Sequence, residues 1–196
     1  MNLDKIHSRM NTSDYYSMRE GSNRMRIVTD FVEVQSINRG KDFKGYVSEN
    51  NQPLAGDTVR TQAWAWAIIR GDAKKEIADE LNIVKFGKTI LGQLVGLKNN
   101  PEYAFEDMPM PFDLDVQAKN AGEMTVVYTV VPARKNTEVT ADEMEKLNKK
   151  NPITEIVKRM LEKQDSKGKP DQLNAYGNPS TPVDYPQQDD SKQIPF

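Results

Sequence analysis

The sequence predicts a mainly β protein with part of the chain unfolded; two observations lead to the first prediction and a third to the second. Apolar and polar residues alternate along most of the chain between residues 24 and 131, as they do in strands with one buried face. Glycine- or proline-containing turns separate these segments, and only one of them changes to helical spacing. Only 37% of the 196 residues are hydrophobic and the mean hydropathy is −0.74, so we expect part of the chain to remain unfolded.

The predicted strands form two groups on either side of one helix. Helical spacing of Phe86, Ile90, Leu94 and Leu97 predicts the helix over 86–97. Residues 76–84 fit either a strand or the start of a helix, and we favour a strand. The predicted strands cover residues 24–37, 43–47 and 58–70 before the helix, and 112–119 and 124–131 after it.

The order of these elements predicts the architecture. Three strands, a helix and two strands are the order of the OB-fold, a five-stranded antiparallel barrel with its helix between strands 3 and 4. An SH3-like barrel or an α+β sheet accommodates the same order. We place this domain at residues 20–138, after a flexible N-terminal arm at 1–19.

Two C-terminal regions follow the predicted barrel. A helical extension is expected at 139–164, because Thr140 and Glu143 fit a capping box and residues 153–161 carry one apolar stripe. Residues 165–196 are rich in Pro, Gly, Asn, Gln and Asp, which predicts a disordered tail. From Pro170 onward the tail has four acids and one base, so it is acidic.

Composition argues against several functional classes. The chain has no cysteine, and His7 is its one histidine, which excludes thiolate or histidine metal clusters and catalytic triads built on them. Neither GxxxxGK[ST] nor GxGxxG occurs. We therefore expect no enzyme activity, no cofactor and no metal. With no apolar run near the ~18 residues of a membrane span, and no signal peptide, we expect a cytoplasmic protein.

The third predicted strand carries the first candidate binding surface. Arg60, Trp64, Trp66 and Arg70 lie on one of its faces, while alanines alternate with them on the other. Exposed indoles flanked by arginines suit unpaired bases, which stack on aromatic rings at ~1–3 kcal/mol each. The alternative is that the two tryptophans fill the core.

The second candidate surface is the turn between the first two predicted strands. Basic and aromatic residues interleave there, in one of the loops with which OB-folds bind oligonucleotides. The alternative is a solvated hairpin, because such turns are polar in any case. Arg24 and Arg26 share one face of the preceding strand and would extend this positively charged path toward the sheet. The candidate nucleic-acid-binding residues are therefore Arg24, Arg26, Arg39, Lys41, Phe43, Lys44 and Tyr46.

The chain ends with acids followed by an apolar tripeptide. Asp189 and Asp190 precede Ile194, Pro195 and Phe196, a pattern suited to binding an apolar pocket with a basic rim on a partner. This end resembles that of bacterial single-stranded DNA-binding proteins, where an acidic run closes in Ile-Pro-Phe and recruits replication and repair enzymes. Lys192 interrupts the acids here, which implies weaker affinity for the same partners.

The body of the chain, about residues 20–135, resembles the single-stranded DNA-binding proteins of tailed bacteriophages. The similar segments are Gly21–Ile27, Trp64–Ile69, Leu97–Tyr103 and Tyr128–Pro132. The resemblance implies an OB-fold that coats unpaired DNA during replication, recombination and repair in the host bacterial cytoplasm. The rival hypotheses are an adaptor that recruits host enzymes without binding DNA, and a nuclease. Homo-oligomerisation and DNA versus RNA preference stay open.

Overall fold

The computed structural model describes residues 14–40, 43–72 and 79–167, and the strands of this part form one mainly antiparallel sheet with helices packed on it. None of the described helices has the length and apolar character that crossing a bilayer requires. The strands are β1 (Gly21–Ile27), β2 (Val32–Arg39), β3 (Phe43–Tyr46), β4 (Thr58–Asp72), β5 (Glu80–Phe86), β6 (Leu114–Lys119) and β7 (Val127–Pro132). The helices are α1 (Lys88–Lys98), α2 (Ala141–Asn148) and α3 (Ile153–Lys167).

The long strand β4 organises the sheet. Strand β5 pairs with one of its edges, and β2 and then β1 pair with the other. Strand β6 pairs with β1, β7 pairs with β6, and β3 forms a hairpin with β2, so the sheet order is β3-β2-β4-β1-β6-β7. The predicted antiparallel sheet with one helix between its two groups of strands is confirmed.

The predicted strand 24–37 is wrong in one respect, because residues 28–31 interrupt it. The Thr29 hydroxyl accepts the Trp66 N–H at 2.9 Å, taking the place of a ladder carbonyl. The Val28 N–H donates to the Trp66 carbonyl at 3.0 Å, which holds the interruption against β4. Strands β1 and β2 therefore follow one edge of β4 with an irregularity between them. Of the ambiguous segment 76–84, the described residues from Glu80 onward are strand, as favoured.

In the described part of the chain the edge strands of the sheet are β3, β5 and β7. Each has backbone groups that another segment of the chain binds. The Gln93 side chain of α1 donates to the Tyr128 carbonyl and accepts the Val130 N–H on β7, at 2.8 and 2.7 Å. Gln164 of α3 binds the N–H and carbonyl of Tyr46 on β3 in the same way, at 2.8 and 2.9 Å. Residues 14–16 run beside β5, where the Ile83 N–H and carbonyl bind the backbone of Asp14 and Tyr16. Among the described residues, β5 and β7 do not pair with each other.

The sheet has a buried core on each face. The inner face packs against α1 through Ala65, Ala67, Ile69, Val84, Phe86, Ile90 and Leu94, among others. The outer face of β4 packs against α3 through Trp64, Trp66, Ile68, Ile83, Ile153 and Val157.

The predicted helical extension is confirmed as α2 and α3. Thr140 and Glu143 form the predicted capping box, in which each side chain binds the other residue's backbone N–H. At the far end of α3, Asp165 accepts hydrogen bonds from Ser48 and Asn50 at 2.5 and 3.2 Å. The extension therefore lies firmly on the sheet.

Candidate nucleic-acid interface

The two tryptophans of β4 are sealed in the core. Trp64 is 0% exposed and Trp66 is 1% exposed, so the prediction of an open aromatic platform is wrong. The Trp66 indole N–H donates to the Asn151 carbonyl at 3.1 Å, in the turn between α2 and α3. The physical reason is that the apolar stripe of α3 needs a partner, and these indoles are the largest apolar surface on the outer face.

The edge of this core is completed by two tyrosines and a lysine. The rings of Tyr15 and Tyr46 meet Trp64 edge-on, with centroids 5.6 and 5.7 Å away. The ammonium of Lys85 lies 4.0 Å from the ring centres of both Trp64 and Tyr15, and burial lowers the pKa of Lys85. Tyr46, a predicted nucleic-acid-binding residue, is therefore half-buried and packs against the core.

Two predicted phosphate-binding arginines are buried in ion pairs. Arg26 donates from Nε to Asp113 at 2.7 Å and from Nη2 to the Thr137 carbonyl at 2.9 Å, and its side chain is 6% exposed. Arg70 is 3% exposed and pairs with Glu143 of α2 and with Asp79. Because both guanidinium groups are buried in ion pairs, the predicted positive path along β1 and β4 is not open at these positions.

Glu143 helps to hold α2 on the sheet. Burial alone would raise its pKa, but hydrogen bonds from Arg70 and from the Thr140 N–H outweigh that effect, and the pKa of Glu143 lies below its ordinary value. Arg70, which pairs with Glu143, also has a buried Nε–H group. This group has no hydrogen-bond acceptor among the described residues.

The predicted hairpin surface is present in part. Arg39 donates to Asp57 from Nε and Nη2, and this pairing with Arg39 is the main reason that the pKa of Asp57 is lowered. Lys44 and Arg60 are exposed, and the register places them with Tyr46 on one face of the β2–β3–β4 ribbon. Lys41 and the Phe43 side chain lie outside the described residues.

An open, positively charged groove lies elsewhere on the outer face, over β1, β6 and the end of β7. It has a volume of about 680 Å³. We call it the basic groove, and its lining residues are Arg24, Asp115, Gln117, Val131, Pro132, Ala133, Arg134 and Lys135. Three of these side chains are cationic and one is a carboxylate, so the groove has a net positive charge.

Arg24 is held rigidly at the side of this groove. Its Nε and Nη2 donate to Asp113 at 3.1 and 2.7 Å, and Nη2 also binds Thr137 and the Lys135 carbonyl. Its Nη1 has no hydrogen-bond partner among the described residues, and the side chain is 30% exposed. A guanidinium fixed on one edge with a free nitrogen on the other is a pre-organised donor for an anion.

Asp115, the carboxylate that lines the basic groove, is hydrogen-bonded to uncharged side chains. Asp115 accepts hydrogen bonds from Ser22 at 2.7 Å and from Gln117 at 2.6 Å. Arg134 and Lys135 are exposed above it, at the start of residues 133–140, which cross β1 on the way to α2. Of the groove's cations, sequence reasoning found Arg24 and missed Arg134 and Lys135. Their signal was two adjacent basic residues that follow the strand-ending Pro132 after one intervening alanine.

The predicted partner-binding residues Asp189, Asp190, Ile194, Pro195 and Phe196 lie outside the described residues. Asp113 and Asp115 are two positions apart in the sequence but differ sharply in the structure. Asp113 is 0% exposed and binds two arginines, whereas Asp115 is half-buried beside the groove. In the described ranges, no group of His, Cys, Asp and Glu side chains is arranged to hold a metal ion.

Comparison with known proteins gives one distant match. The chain is 26% identical over 123 residues to a Rickettsia prowazekii (strain Madrid E) protein named "Putative carboxypeptidase RP402". The alignment covers 61% of this chain and 38% of that protein. No family model matches the chain, and no solved structure matches it. At this identity and coverage, the match does not define a family for this chain.

Proposed function

We propose that this protein binds single-stranded DNA without catalysis or sequence preference, and that the basic groove holds the phosphates. The observation that carries the proposal is the pre-organised Arg24 beside Arg134 and Lys135 on an uncovered part of the sheet. Phosphate contacts supply most sequence-independent affinity for nucleic acids, and arginine suits phosphate geometry particularly well.

We propose further that the sheet is an OB-fold barrel left open at one seam. Strands β1 and β2 together correspond to the first OB strand, β4 and β5 to the second and third, and β6 and β7 to the last two. Support comes from the pairing of β6 with β1 and from α1 between β5 and β6. Gln93 occupies the edge of β7 at the position where β5 would close the barrel.

In the cell, we propose that the protein coats unpaired DNA during phage replication, recombination and repair in the bacterial cytoplasm. The C-terminal segment with Asp189, Asp190 and Ile194–Phe196 would recruit replication or repair enzymes. This role rests on the sequence resemblance and on the acidic composition of that segment.

The test is titration of a fluorescently labelled oligo-dT by polarisation at several salt concentrations. Three phosphate contacts predict a slope of log affinity against log salt of about −2, from ~0.7 per phosphate. The double variant R134A/K135A should weaken binding by about tenfold or more and flatten the slope by roughly one unit. Control variant K158A/K163A removes two exposed lysines from α3 and should bind like the parent.

Two results would contradict the proposal: no salt-dependent binding by the parent, or equal losses in the two double variants. Oligo-U and duplex DNA in the same titration give the preference among nucleic acids.

The burial of both indoles favours a second candidate function. Without an exposed Trp64 or Trp66, aromatic stacking at β4 is lost, and a basic groove beside exposed aliphatic side chains also suits an acidic protein segment. In that case the chain is an adaptor that recruits host replication or repair enzymes without binding DNA. Absence of oligonucleotide binding, with binding of an acidic apolar peptide that R134A/K135A abolishes, would favour the adaptor.

A further inference from the structure

We propose that the exposed valines of β7 contact the faces of the DNA bases, while the cations of the basic groove hold the phosphates. This inference rests on the proposed function and adds the orientation of the bound DNA, whose bases would face β7 while its phosphates face the basic groove. It assigns base contact to aliphatic side chains, in place of the aromatic rings that sequence reasoning favoured.

The outer surface of β7 carries two exposed valines. Val127 and Val131 are 56% and 40% exposed, and they share one face because they are four residues apart in a strand. Met124, in the loop before β7, is fully exposed. Together these three residues form an aliphatic row along one side of the open surface, with Thr129 between the two valines.

The register places a polar row directly beside this aliphatic row. Lys119 lies opposite Val127, Gln117 opposite Thr129 and Asp115 opposite Val131. Arg24 follows on β1, opposite Asp115. The surface thus changes from aliphatic to cationic across three strands that are ~5 Å apart.

This arrangement complements a single strand of nucleic acid. Unpaired bases present apolar faces on one side of the backbone, and the phosphates lie on the other side. A DNA strand that lies along β7 can place its bases on the valines. Its phosphates then reach Lys119 and Arg24, and also Arg134 and Lys135 after β7. Aliphatic contact does not distinguish among bases, so the binding stays tolerant of sequence. Duplex DNA, whose base faces are stacked, would gain no contact from the valines.

The experiment compares an oligo-dT with an oligonucleotide of equal length that has abasic sites in place of the bases. We expect the parent protein to bind oligo-dT about fivefold more tightly, the ratio produced by a contact of about 1 kcal/mol. The V127T/V131T variant keeps side-chain shape and replaces a methyl group with a hydroxyl at each position. It should lose most of this preference and keep the salt slope of the parent.

V59T is the matched control, because Val59 is also 40% exposed on a strand but lies on the β2–β3–β4 ribbon. It should keep the full preference for oligo-dT. The inference alone fails if the parent binds both oligonucleotides equally with normal salt dependence, or if V127T/V131T keeps the preference. If the parent binds neither oligonucleotide in a salt-dependent way, the proposed function fails with it.

Discussion

The outer face of the sheet has a covered half and an open half, and their difference lies in what each strand displays. On β4 this face presents Trp64, Trp66 and Ile68, which are buried in one cluster with apolar residues of α2 and α3. On β6 and β7 the same face presents Gln117, Thr129 and Lys119 to solvent, beside the exposed side chains of Val127 and Val131. Because burying a large apolar surface stabilises the fold, the apolar half is covered and the half with polar groups stays open to solvent.

The largest expected effect tests this division through stability. Trp66→Ala should lower the free energy of unfolding by about 3–5 kcal/mol, because it leaves a large cavity under α3. Val131→Ala, on the open half, should change it by no more than ~0.5 kcal/mol. Urea denaturation measures both. Similar losses in the two variants would mean that the halves do not differ as described.

The second prediction compares two carboxylates of the same segment. Asp113→Asn should destabilise the fold by about 3 kcal/mol, because Arg26 keeps a buried charge without its counterion. It should also weaken oligo-dT binding, since Arg24 loses its support. Asp115→Asn should leave stability nearly unchanged and tighten binding, because it removes the negative charge from the basic groove. Weaker binding by Asp115→Asn would contradict the assignment of the groove to phosphates.

The third prediction concerns the pH dependence of the covered half. The pKa of Glu143 is lowered in the folded protein from an ordinary value of 4.5. Its ion pair therefore stabilises the fold fully above about pH 4.5, and this stabilisation is lost as the pH falls through the folded-state pKa. Denaturation at a series of pH values should show that loss, with Glu143→Gln reducing it. A Glu143→Gln profile that parallels the parent would refute the role of this pair.

The smallest expected effect concerns the N-terminal cap of α2, the first of the two helices that pack on the covered half. Thr140→Ala should cost about 1 kcal/mol, because the Glu143 N–H loses its acceptor. Thr129→Ala removes an exposed threonine from the open half and should cost less. Thermal denaturation of the pair distinguishes a specific cap from a general effect of removing threonine.

Local patterns were sufficient to predict most elements of the fold. Alternation located β4 and β6, helical spacing located α1, and the capping box located α2, because each depends on neighbouring residues only. The interruption at residues 28–31 was missed, since it depends on the Thr29 hydroxyl binding a strand that is 37 residues away in sequence.

The candidate site was harder to predict, although one signal was available. Strand β4 is apolar on both faces, with Ala65 and Ala67 on one and Trp64 and Trp66 on the other, and such a strand is buried on both sides. The ion pairs of Arg26 with Asp113 and of Arg70 with Glu143 join residues 87 and 73 positions apart. No local pattern shows that these cations are already neutralised.

The glutamines on the sheet edges have a consequence for how copies of this protein meet. Gln93 and Gln164 bind backbone groups that would otherwise be free to accept an added strand, and residues 14–16 do the same beside β5. Unprotected edges are where β proteins polymerise into fibres. Under the proposed function, copies bound side by side on one nucleic acid would therefore be kept from pairing their sheets at these positions.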